Sequence, residues 1–259
     1  MSQPLIRART ALLVVLGLVV VALVVVSTIH PYAAWPAQDP GYYGFADQRA
    51  LLQTLNFWNV LSNAPFLPVG LLGLWACARR CDGWRPGERA AYVIVFTGVA
   101  LTALGSSYFH YRPSADTLFW DRLPMTLVFT AMFAIVLAGA VDERALRLGL
   151  WPLVGVGVAT VVYWRHTELL GHGELRPYLL VQFVPMVAIP LLLVLRRPPA
   201  TPTYVAVIAL YTAAKVFEVC DAKVYALTGG ALSGHSVKHV LGAAAIFPLY
   251  RLISRGRSD

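Results

Sequence analysis

The stretch TLFWDRLPMTLVFTAMFAIVLAGAV, residues 117–141, sets the class of the fold. Its two charged residues, Asp121 and Arg122, stand near its start, and none follows. A bilayer core of about 30 Å is crossed by roughly 20 mostly apolar residues in a helix, and this run is long enough. A transmembrane β-barrel would show short alternating segments, whereas the apolar residues here are consecutive. Similar runs recur along the chain, with expected spans at 11–27, 57–77, 91–110, 148–164, 178–195, 204–219 and 236–252. The expected fold is therefore all-α, a polytopic transmembrane helical bundle. Composition agrees, since 58% of the 259 residues are hydrophobic and 13% charged, about half the charged share of a soluble domain.

The net charge of +8 reflects topology rather than nucleic-acid binding. With the N-terminus in the cytoplasm, each cytoplasmic segment carries at least two arginines: Arg7 and Arg9, Arg79 and Arg80, Arg144 and Arg147, Arg196 and Arg197, Arg255 and Arg257. Such a bias orients membrane helices, so both termini are expected on the cytoplasmic side. The basic start before the first apolar run also suits a signal peptide. Its long apolar core and the lack of a clean cleavage site favour an uncleaved helix. Residues 1–30 are thus expected to form a cytoplasmic N-terminus and an extra helix, and residues 31–259 the main transmembrane domain. Cys77 and Cys81 fall at a cytoplasmic helix end, where thiols stay reduced.

Ionisable residues within membrane spans are costly and mark functional sites. All six histidines map to the non-cytoplasmic half. His235 and His239 stand four residues apart, so a helix presents both imidazoles on one face, a common way to offer two nitrogens to zinc. Ser106 and His110 repeat the spacing at the end of another span, and Asp121 begins the next. Topology brings these residues to one membrane face. Taken alone, His235 and His239 read equally well as interfacial histidines, Asp121 as the partner of Arg122, and Ser106 as a hydroxyl bonded to its own backbone. Lys215 and Glu218 are spaced to pair on adjacent turns. Asn59 and Asn63 are placed for interhelical hydrogen bonds, while His166, Glu168, His172 and Glu174 read as a solvated outer loop.

The combination of Asn56–Asn63 (NFWNVLSN), Ser106-x-x-x-His110, Asp121 followed by Pro124-Met125, and His235-x-x-x-His239 resembles the alkaline ceramidase family. That family belongs to a superfamily of seven-helix membrane hydrolases and adiponectin- and progestin-type receptors. The resemblance runs from about Asp47 to the C-terminus. It implies a seven-helix core, here behind one extra N-terminal helix, and hydrolysis of the amide of a ceramide-like or other N-acyl lipid. It also implies zinc held by His110, His235 and His239, with Ser106 and Asp121 as catalytic neighbours. Asn56 stands where eukaryotic members carry a glutamate, and upstream only Asp39 and Asp47 are acidic, so their calcium site is not expected. The chain is more similar to the bacterial branch, which implies a bacterial inner membrane with the site toward its outer face. The competing expectation is a zinc-bearing lipid receptor of the same fold without turnover.

Overall fold

The long helices are apolar on nearly every face, as membrane-spanning helices are. The structure, a computed structural model, describes Gly17, residues 43–198 and residues 200–255. Apart from Gly17, the expected first span lies outside these residues, so the extra helix stays an expectation. The described helices are α1 (Phe57–Leu61), α2 (Phe66–Arg79), α3 (Glu88–Tyr111), α4 (Ala115–Ala140), α5 (Leu150–Leu169), α6 (Arg176–Arg196), α7 (Thr201–Val219), α8 (Asp221–Leu227) and α9 (Gly234–Ser254). A short π-turn, Ala145–Gly149, precedes α5. No β-strand occurs among the described residues, and the all-α class holds.

Six segments of these residues are long and apolar enough to cross a membrane: Phe57–Arg79, Glu88–Tyr111, Ala115–Ala140, Ala145–Leu169, Arg176–Arg196 and Thr201–Val219. This is a membrane protein. The last expected span is also a helix, α9, but His235, Lys238, His239 and Arg251 leave it more polar than the six. Pro124 in α4, Pro185 and Pro190 in α6, and Pro248 in α9 all sit inside helices, as membrane helices tolerate when neighbours satisfy the freed carbonyls.

Two boundaries differ from expectation. The span beginning at Phe57 is interrupted between Leu61 and Phe66, where Asn63 N–H bonds the Val60 carbonyl at 3.2 Å and Ala64 N–H the Leu61 carbonyl at 2.9 Å. These are bonds of the tighter 3₁₀ type. Helix α5 runs on to Leu169, which puts His166 and Glu168 in its last turn rather than in an outer loop.

One compact unit comprises Trp84–Val95 and Thr126–Thr201. In it α5 packs on α6, and Arg196 Nε donates to the Ala140 carbonyl at 2.6 Å. The turn between them is held by an ion pair of Glu174 and Arg176, which keeps the Glu174 carboxyl below its ordinary range.

The other unit comprises residues 43–83, Phe96–Met125 and residues 202–255. Here α9 packs against α2, α1 and α8. Close helix contact depends on small residues. A Cβ on Gly73 would lie 2.0 Å from the Phe96 ring, and one on Gly105 2.0 Å from the Trp120 carbonyl oxygen. The second contact draws the end of α3 onto the start of α4.

Candidate metal centre

Helix α9 brings two histidines to one place because its start is doubly capped. Ser233, the N-cap, accepts the Ser236 N–H at 3.0 Å, and Asp221 Oδ1 accepts the His235 N–H at 2.8 Å. Two of the four orphan donors of a helix start are thus satisfied. A Cβ on Gly234 would stand 2.2 Å from the Phe217 carbonyl oxygen, so glycine lets α9 begin against the end of α7.

His235 and His239 then project together, their ring centroids 4.9 Å apart. His110, in the last turn of α3, lies 4.8 Å from each. All three are buried. The Nε2 atoms of His110 and His235 approach to 3.3 Å, and one ligand nitrogen from each ring falls within 4.8 Å of the others. Zn–N bonds of 2.0–2.1 Å in tetrahedral geometry separate ligand nitrogens by about 3.3–3.4 Å, and the close pair fits. The residues fit a metal ion, and the three histidines are the group that could hold one.

Ser106 is buried on α3, one turn before His110. Its hydroxyl lies beside the Asp121 carboxylate. All five expected site residues lie in the second unit.

Phe45 packs on this cluster from the segment before α1. Its ring centroid is 4.7 Å from those of both His110 and His235, and the residue is 6% exposed. The segment is strapped down at several points. Ala46 N–H donates to Asp221 Oδ2 at 3.0 Å, and the Asp47 carbonyl accepts Asn59 Nδ2 at 3.0 Å. The buried Asp47 carboxylate pairs with Arg49 at 2.6 Å, and that hydrogen-bonded pair holds the carboxyl below its ordinary range against the opposing effect of burial.

Further contacts tie the site to elements distant in sequence. Asn59 Oδ1 accepts the Ser236 hydroxyl at 3.0 Å, joining α1 to α9 as its interhelical reading requires, but Asn63 Nδ2 bonds the Asn59 carbonyl at 2.8 Å. Asn56 Nδ2 donates to the His110 carbonyl at 2.9 Å. Asp47 is bound to Arg49, and Asp39 lies outside the described residues. Lys215 pairs with Glu218 at 2.5 Å as its spacing predicts. Glu218 also takes Lys238 at 2.6 Å, a contact 20 residues away in sequence that no local pattern reveals.

The family model for ceramidases matches residues 53–197, more than half of the chain. The chain belongs to the ceramidase family. The matched region of this ceramidase-family protein contains Ser106, His110 and Asp121 and ends before His235 and His239, so the approach of those two histidines to His110 is a separate observation. No curated protein and no solved structure matches the sequence.

Proposed function

We propose that this protein is a zinc-dependent intramembrane hydrolase that cleaves the amide bond of a ceramide-like or other N-acyl lipid. The observation that carries this reading is the convergence of three buried histidines, with Ser106 one turn before His110 on α3 and beside the Asp121 carboxylate. Three protein ligands with a fourth position open is the pattern of catalytic zinc. When bound there by His110, His235 and His239, zinc supplies Lewis-acid polarisation and a nucleophile near neutral pH.

The protein's own groups do the proton work. Asp121 accepts a proton from the attacking water and later delivers one to the leaving amine. The Ser106 hydroxyl has one hydrogen, and in the resting site it goes to Asp121. Once Asp121 has taken up a proton it is a much weaker acceptor, and Ser106 can turn its hydrogen to the developing oxyanion. The two roles are therefore linked in time. Phe45 keeps bulk water from the histidine rings, which strengthens each electrostatic contact inside.

The arginine bias supports cytoplasmic termini, with the site toward the opposite face of what the resemblance suggests is a bacterial inner membrane. The lipid substrate then reaches the site from the bilayer.

The test is Asp121→Asn and Ser106→Ala in detergent-purified protein, read as zinc content and release of fatty acid from N-acyl lipids. The reading requires that both variants keep their metal and lose turnover, by about 10²–10⁴-fold for Asp121→Asn. A metal-loaded Asp121→Asn with full turnover contradicts the acid–base role. Saturable lipid binding by metal-loaded wild type, without any product, would make the protein a receptor.

A further inference from the structure

Ser62 lies in the interruption between α1 and α2, and its hydroxyl stands 2.8 Å from Nδ1 of His239. The interruption decides what that hydroxyl can do. Because Asn63 N–H turns to the Val60 carbonyl, the Asn59 carbonyl is left to side chains. It accepts Ser62 Oγ at 3.2 Å and Asn63 Nδ2 at 2.8 Å. A serine hydroxyl has a single hydrogen. With that hydrogen given to Asn59, Ser62 Oγ meets His239 as an acceptor, and Nδ1 must carry the ring proton. The other nitrogen, Nε2, is then unprotonated, as a metal ligand has to be.

We propose that Ser62 is a positioning residue for the metal centre, fixing the tautomer and ring orientation of His239 through the carbonyl freed by the helix break. This rests on the reading of the triad as a metal site. Hydrogen-bond partners of ligating histidines are worth about 10–100-fold in metal affinity. His110 differs, since its Nδ1 is buried without a partner.

The test is a zinc titration against a competing chelator, on full-length protein in detergent, for wild type, Ser62→Ala, Ser62→Thr and His239→Ala. Melting temperatures with and without zinc are measured on the same samples. Ser62→Ala should bind zinc about 10–100-fold more weakly, and its zinc-induced rise in melting temperature should shrink. Ser62→Thr, which keeps the hydroxyl, should stay close to wild type. A merely structural role would lower both melting temperatures alike and leave zinc affinity unchanged, which overturns the inference. If Ser62→Ala does not fold, Ser62→Gly carries the same expectation. Wild-type binding that Ser62→Ala leaves intact overturns this inference alone. Wild type and His239→Ala that both fail to bind zinc overturn the metal reading and this inference with it.

Discussion

Asp221 accepts the backbone N–H of His235 at 2.8 Å, and its second oxygen accepts the N–H of Ala46 at 3.0 Å. One carboxylate thus fixes both the start of the helix that carries two histidines and the strap that carries Phe45. A negative charge at a helix N-terminus is also favoured by the helix dipole. Asp221→Ala should cost about 1–3 kcal/mol, as unpaired buried donors do, and appear as a lower melting temperature and weaker zinc retention. An unchanged melting temperature would show that the two bonds are incidental.

Gly105 is where α3 meets α4. Its Ala variant would push a methyl group toward the Trp120 carbonyl, 2.0 Å from the ideal Cβ position, and separate Ser106 from Asp121. Overpacking of this kind costs about 1–3 kcal/mol. Gly105→Ala should therefore lose both stability and hydrolysis. Gly155, whose Cβ would meet nothing within 4 Å, provides the control: Gly155→Ala should leave hydrolysis unchanged. Thermal unfolding and product release on the two variants check the contrast.

The Phe45 ring touches two of the three histidines. Truncating a buried phenylalanine costs about 3–5 kcal/mol, and here it would also admit water beside the imidazoles. Phe45→Ala should cut turnover and speed zinc loss to a chelator, while Phe45→Leu, which preserves most of the apolar cover, should do less. Equal effects of the two substitutions would point away from the exclusion of water.

Asp47 sets an acid limit for the strap. Its folded-state carboxyl lies below the ordinary 3.8 because Arg49 is bound to it. A depressed carboxyl pKa contributes stability that is fully present above the unfolded value and is lost as pH falls through the folded one. Amide exchange over residues 45–49, corrected for the intrinsic pH dependence, should therefore rise as pH drops below 3.8. In Asp47→Asn the segment should exchange faster at neutral pH and lose that acid dependence. Protection in wild type that is flat through this range would contradict the assignment.

The sequence made the candidate ligands readable because they obey helix geometry. His235 and His239 share a face by spacing alone, and Ser106 and His110 repeat it. It hid what holds them. The run from Phe57 is apolar enough to read as one unbroken span, so neither the break after Leu61 nor the exposure of the Asn59 carbonyl to Ser62 could be anticipated. Phe45 belongs to a segment with no periodicity, and its place over the histidines is a tertiary fact. Likewise Asp221 reads as the polar end of a span, and only the fold turns it toward the start of α9.

The most direct test of the account is hydrolysis of an N-acyl lipid by purified wild type before chelation, after chelation, and after zinc is restored. Elemental analysis is run on each sample. The account predicts that fatty acid release disappears with the metal and returns with it, and that a His235→Ala, His239→Ala double variant neither retains zinc nor regains turnover. Hydrolysis that persists in metal-free protein, or no hydrolysis of any N-acyl lipid by fully zinc-loaded wild type, would contradict it.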